Sequence, residues 1–185
     1  MIIVDTVLTL TPAWPLCVHL FTGFFCLGCS AIYHLCQIKS QKANEMLSRL
    51  DYSGISILIM GSSYPIIYYV FSCGQVFVYR YTFLAVITTN SLLTFVMMLI
   101  PCMNKPKWRM CRAISFILLG LSAGLPFIFI EINKRYNNER FYLPSQNGMP
   151  WLSGGFIYIV GALIYGFRIP ERCFPYKFDL VGSSH

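Results

Sequence analysis

An all-α integral membrane protein is the fold class this sequence predicts, on three observations. Only 11% of its 185 residues are charged and 56% are apolar, whereas a soluble domain carries about 25% charged residues. The mean hydropathy is +0.61, too apolar for a surface that meets water on every side. The apolar residues also fall into runs of roughly 17 to 25, the length of a helix that crosses the hydrocarbon core at 1.5 Å per residue. Transmembrane β-strands would be about ten residues long and alternate in polarity. These runs do neither, which leaves helices that satisfy their own backbone groups in lipid. Disorder, a collagen-like repeat and a cysteine-stapled secreted module are excluded by the same composition.

Five spans are expected within a single domain over residues 1–185, at Pro15–Cys36, Tyr52–Cys73, Val78–Ile100, Ala113–Ile130 and Trp151–Phe167. The first carries Cys26-x-x-Cys29 and two of the three histidines, His19 and His34. Pro65 in the second and Pro126 in the fourth are expected to kink their helices. The third has Thr88, Thr89 and Asn90 as its main polar residues, suited to a hydrogen bond between packed helices. Gly120 and Gly124 share a face of the fourth, and Gly154, Gly155, Gly161 and Gly166 thin the fifth, so close helix approach is expected there.

Charge fixes an orientation. With the loops assigned alternately to two sides, ten basic residues lie on one side: Lys39, Lys42, Arg49, Lys105, Lys107, Arg109, Arg112, Arg168, Arg172 and Lys177. Arg80, Lys134, Arg135 and Arg140 lie on the other. The positive-inside rule makes loops 37–51 and 101–112 and the C-terminal tail cytoplasmic, and the N-terminus of the chain extracytoplasmic. The net charge of +7 is then mainly a topology signal. A nucleic-acid partner is excluded, because the cations are scattered over the loops without a stripe or an aromatic-interleaved patch. The first fourteen residues lack a basic n-region, so no cleavable signal peptide is expected.

Most of the eight cysteines lie in or at the ends of spans, where they read as small apolar packing residues rather than a disulfide framework. Cys26-x-x-Cys29 has no second pair at zinc-finger spacing. His19 and His34 are fifteen residues apart, about 22 Å along a helix, and cannot share a metal. His34, Asp51 and His185 are far apart in sequence, yet charge counting alone brings all three to one membrane level. Ser30, one turn before His34, projects from the same face. Ionisable groups at that depth are candidates for a shared site, although helix-end Asp and His are also common as solvated residues.

Three motifs carry a resemblance. Leu50-Asp-Tyr-Ser-Gly-Ile-Ser-Ile-Leu-Ile-Met-Gly-Ser-Ser-Tyr-Pro65, followed by Tyr68-Tyr69 and Phe71-Ser-Cys73, resembles the third transmembrane segment of the progestin and adipoQ receptor family, which includes adiponectin receptors and haemolysin-III-like proteins. Arg168-Ile-Pro-Glu-Arg172, Phe174-Pro-Tyr-Lys-Phe-Asp179 and Gly182-Ser-Ser-His185 resemble the signature before its last segment. Ser30-Ala-Ile-Tyr-His34 resembles its Ser-x-x-x-His motif. The resemblance implies a bundle of seven helices with a cytoplasmic N-terminus, and the five spans correspond to segments two to six, in the orientation obtained from charge.

The resemblance also implies a zinc ion near the cytoplasmic face, held by three histidines. Carried over, His34 and His185 are two of the ligands, and Asp51 and Ser30 are the catalytic candidates. Three imidazoles would leave the fourth zinc position to water, and the metal would lower the pKa of that water towards 7. Asp51 would orient that water or accept its proton, and Ser30 would steady a developing oxyanion. The implied chemistry is hydrolysis of a lipid amide such as ceramide, alongside a receptor role with a lipid or protein hormone ligand. The counterparts of the third histidine and of the first and last segments are not in this sequence, and Tyr176 stands where the family usually has glycine. A partial sequence is therefore expected, with little zinc binding by the 185-residue chain itself. A purely signalling receptor with structural zinc uses the same residues. A channel or transporter is the alternative from another class, against which stands the shortage of strongly polar residues along the spans.

Overall fold

All five apolar runs are helical in the computed structural model, which describes residues 12–36, 40–71, 77–137, 149–170 and 172–173. The helices are α1 (Trp14–Cys36), α2 (Gln41–Val70), α3 (Phe77–Leu99), α4 (Arg109–Asn137) and α5 (Met149–Phe167). No strand occurs among the described residues. The first four are long and apolar enough to cross a membrane, whereas the described apolar part of α5, Ser153–Phe167, is shorter. The chain runs up and down, so one end of the bundle gathers the C-termini of α1, α3 and α5 with the N-termini of α2 and α4. That end holds Arg49, Lys105, Lys107, Arg109, Arg112 and Arg168, and is called the basic end below.

The largest departure from expectation is α2, which begins eleven residues before Tyr52 and runs for 30 residues, about 45 Å. Hydropathy does not register its polar first turns, but local chemistry favours them. The Ser40 side chain accepts from the Ala43 amide at 3.2 Å and caps the helix. Gln41 Nε2 donates to Glu45 Oε1 at 3.3 Å, and Arg49 Nε to the Glu45 carbonyl at 3.0 Å. Asp51 consequently lies inside a helix, not in a loop before one.

Two short 3-10 turns, Pro101–Asn104 and Pro106–Trp108, join α3 to α4. Each begins with proline, which fixes φ and lacks the amide that an α-helix interior needs. At the far end of α5 the Arg168 amide donates to the Tyr165 carbonyl at 3.4 Å and the Ile169 amide to the Ile164 carbonyl at 3.1 Å. This is a Schellman stop, with Arg168 at φ 57° in the position usually given to glycine.

Small residues set the tightest helix contact. A Cβ on Gly61 of α2 would fall 1.8 Å from Thr22 Oγ1 of α1, and one on Gly54 would fall 3.3 Å from Cys26 Cα. Gly120 of α4 seats the Tyr158 ring, and Gly166 of α5 abuts Met110 and Ala113. Gly124, Gly154, Gly155 and Gly161 meet nothing within 4 Å, so the close approach expected from them is realised at Gly120 and Gly166 alone. One core cluster joins Ile67, Phe71, Leu84, Ile87, Leu119, Ala123 and Ile130, and another joins Met98, Met103 and Phe116 near the basic end. Outward-facing Leu20, Phe24, Leu27 and Leu35 are at least 70% exposed, an arrangement that lipid tolerates and water does not. The described cysteines are all free, and Cys26 is buried as a packing residue whereas Cys17, Cys102 and Cys173 are exposed.

Candidate functional site

The α1–α2 register locates the residues singled out from sequence. Thr22 faces Gly61 and Cys26 faces Gly54. Continued one turn towards the basic end, this antiparallel register sets Ser30 opposite the turn that carries Asp51. Both are half-buried, and the Asp51 charge reaches the thiols of Cys26 and Cys29. His34 lies a turn farther out, exposed, its ring 5.0 Å from that of Tyr33. The structure therefore sets Asp51 near the Cys26–Cys29 turn of α1, with Ser30 and His34 following on that helix, and His185 lies outside the described residues. No three His, Cys, Asp or Glu side chains gather as a metal would require among the described residues. Of the expected ligands only His34 is among the described residues, so a zinc site would draw its other ligands from outside them.

Residue 52 opens a second part of the site that sequence reasoning missed. Arg112, counted from sequence only as a loop cation, lies inside α4 and is 5% exposed. Its Nε and Nη2 donate to the Tyr165 hydroxyl at 3.1 and 2.8 Å. Its Nη1 donates to the carbonyls of Met103 and, at 3.3 Å, Lys105. The guanidinium also lies 5.3 Å from the centre of the Tyr52 ring, and the Tyr52 ring in turn lies 6.5 Å from that of Tyr165. Arg112 takes no carboxylate partner among the described residues; neutral acceptors and aromatic faces hold it. A buried cation is ordinarily paired, since burying an ion costs several kcal/mol. The available signal in the sequence was position: Arg112 abuts the apolar run that begins at Ala113, and helical periodicity turns it inward.

Deeper in the bundle a cavity of about 350 Å³ lies between α2, α4 and α5, lined by Ile59, Ser62, Ser63, Gly120, Gly154 and Tyr158 among others. Ser62 and Ser63 donate to the Ile59 carbonyl at 2.9 and 2.8 Å, and the Tyr158 hydroxyl to that of Phe116 at 2.9 Å. Their hydrogen bonds are satisfied, so the walls behave as apolar surface. From Asp51 to Ser62 is eleven residues along α2, about 17 Å. A polar site at the basic end thus stands above an apolar cavity in mid-bundle.

Comparison with known proteins agrees with this architecture. The whole chain, residues 1–185, matches the family described as Haemolysin-III related. It is 36% identical over 174 residues to the heptahelical transmembrane protein ADIPOR3 of Oryza sativa subsp. japonica, covering 94% of this chain and 42% of that protein. It is 37% identical over 171 residues to the adiponectin receptor protein of Drosophila melanogaster, covering 89% of this chain and 37% of the other. Heptahelical transmembrane protein 3 of Arabidopsis thaliana is 36% identical over 174 residues, 94% of this chain and 49% of that one. The chain spans less than half the length of these relatives. With five helices in the expected order and a match along its full length, this chain belongs to the Haemolysin-III related family.

Proposed function

We propose that the chain forms the lipid-binding membrane core of a receptor of this family, with the basic end in the cytoplasm. Buried Arg112, which has no carboxylate among the described residues, is the observation that carries this reading. A buried cation held by neutral groups is a donor site for the electron-rich oxygen of a lipid head, and the cavity some 17 Å below takes an apolar tail. An amide lipid such as ceramide satisfies both, with its carbonyl at the Ser30–Asp51–Tyr52–Arg112 level and an acyl chain towards Tyr158. The receptor role follows the name of the Drosophila relative, and the proposed ligand is a lipid or a protein hormone that reports on lipid state.

Zinc-dependent hydrolysis is part of the same proposal. His34 and His185 would be two of the ligands, and a bound zinc would supply a Lewis acid for the amide carbonyl. Asp51 would hold a water molecule and accept its proton, and Ser30 would donate to the oxyanion side. Two measurements test the reading. Binding of a fluorescent ceramide to the purified protein should weaken in Arg112→Gln; unchanged affinity would remove the anchor. Fatty acid released from ceramide by the full-length protein should be lost in Asp51→Asn; equal release from both proteins would sink the catalytic assignment and leave a purely signalling receptor.

A further inference from the structure

The lipid-amide site uses Arg112 and leaves the other cations around it unassigned. Lys105 and Lys107 are exposed on the turns before α4, and Arg109 opens that helix. The Arg109 guanidinium stacks 4.9 Å from the centre of the Tyr165 ring. Its Nη1 is screened from solvent and takes no hydrogen bond among the described residues. The Schellman stop of α5 brings Arg168 to the same place, because Tyr165 and Gly166 pack against Arg109, Met110 and Ala113. Arg109 and Arg168 therefore lie on either side of Tyr165, and Lys105 and Lys107 stand on the turns that lead into Arg109. The described acidic residues of the basic end point elsewhere: Glu45 accepts from Gln41 and Asp51 faces α1. Glu171 lies outside the described residues.

Apolar side chains are interleaved with these cations. Trp108 and Met110 are both 39% exposed, Ile169 is 44% exposed, and Ile114 and Leu118 continue an exposed stripe down α4 at 51% and 57%. A soluble anion would satisfy the charges and leave that stripe bare. A ligand that brings negative charge and long apolar chains together satisfies both. We propose that the α4–α5 corner, formed by Lys105, Lys107, Arg109 and Arg168, holds the phosphate of an anionic phospholipid whose acyl chains lie along the α4 stripe. The stacked guanidinium presents a fixed fork to phosphate oxygens, and the indole of Trp108 sits at headgroup depth. This corner is separate from the lipid-amide site and stands or falls without it.

Trp108 supplies the probe. The protein carrying Trp14→Phe and Trp151→Phe, reconstituted in phosphatidylcholine vesicles, is titrated with brominated phosphatidylglycerol or brominated phosphatidylcholine. Trp108 fluorescence should be quenched preferentially by the anionic phosphatidylglycerol. Each of Lys105→Gln, Lys107→Gln and Arg109→Gln should reduce that preference by about fivefold. Lys105→Arg and Lys107→Arg, which keep the charge, should retain it, as should Lys134→Gln/Arg135→Gln at the opposite end of α4. Equal quenching by the two lipids, or a preference that survives all three Gln substitutions together, would overturn the proposal. Loss of the preference in millimolar inorganic phosphate would assign the corner to a free anion and overturn the lipid assignment.

Discussion

Tyr165→Phe is the most direct test of the buried polar cluster. It removes one oxygen and leaves the ring that Arg109 and Arg112 stack on. That oxygen accepts two hydrogen bonds from Arg112, at 3.1 and 2.8 Å, and a hydrogen bond to a charged group contributes about 1.5 to 3 kcal/mol. Because both bonds share one acceptor, and the Met103 and Lys105 carbonyls stay in place, the expected loss is about 2 to 4 kcal/mol. For a chain of this length that corresponds to a fall in Tm of roughly 4 to 16 °C, read by thermal unfolding in detergent micelles. Arg112→Met should also destabilise, by leaving two carbonyls and a hydroxyl without their donor. The double variant should then cost at least about 1.5 kcal/mol less than the sum, since contacting residues are not additive. Additivity within about 0.5 kcal/mol would show that the two side chains do not interact and would refute the reasoning.

Other expectations follow from single contacts. Gly61→Ala forces a methyl group against Thr22 and should cost about 1 to 3 kcal/mol, partly recovered by Thr22→Ala; a full-strength Gly61→Ala protein on melting would show that the α1–α2 contact is not tight. Ser91→Ala removes a buried 2.7 Å hydrogen bond to the Ser56 carbonyl and should lower stability by about 1 kcal/mol, checked by the same melts. Gly154→Leu should obstruct the cavity between α2, α4 and α5 and weaken binding of a long-chain ceramide more than that of a short-chain one. Equal weakening of both would place the acyl tail elsewhere.

Much of the fold was legible because lipid leaves few choices: a run such as Val78–Ile100 reads as a helix from length and hydropathy alone, and α3 covers Phe77–Leu99. The start of α2 was not legible on the same scale, because Gln41, Lys42, Asn44 and Glu45 lower the hydropathy while Ser40 and i,i+4 contacts favour the helix. The small-residue pattern was only half informative, since spacing marks a face and does not say what covers it: Gly120 meets Tyr158 and Gly124 meets nothing. At the site, Ser30, His34 and Asp51 were singled out by charge counting and the motifs, and the helices that carry them, α1 and α2, pack side by side through Gly61 on Thr22 and Gly54 on Cys26. Arg112 was lost among the topology charges, because a basic residue at the edge of a span has the same composition signature whether it faces water or Tyr165.

The hydroxyls within the bundle divide it mechanically. Ser53, Ser62 and Ser63 donate to carbonyls of their own helix, so they offer neighbouring helices no grip. Fastening between α2 and α3 falls instead to Ser91 on the Ser56 carbonyl and to the 2.7 Å bond between Tyr64 and Thr88. Between α4 and α5 it falls to Tyr158 on the Phe116 carbonyl and to Arg112 on Tyr165. With Arg49 Nη1 on the Leu99 carbonyl at 3.2 Å, α2 and α3 are bolted at three heights and α4 and α5 at two, so sliding or rolling one member past the other breaks every bolt of its pair. The cavity is bounded by α2 on one side and by α4 and α5 on the other, and lies between the two bolted pairs rather than inside either. Because Ile67, Ile87, Leu119 and Ala123 pack the first pair against α4, the cavity has fixed walls, and its width sets the tail it admits.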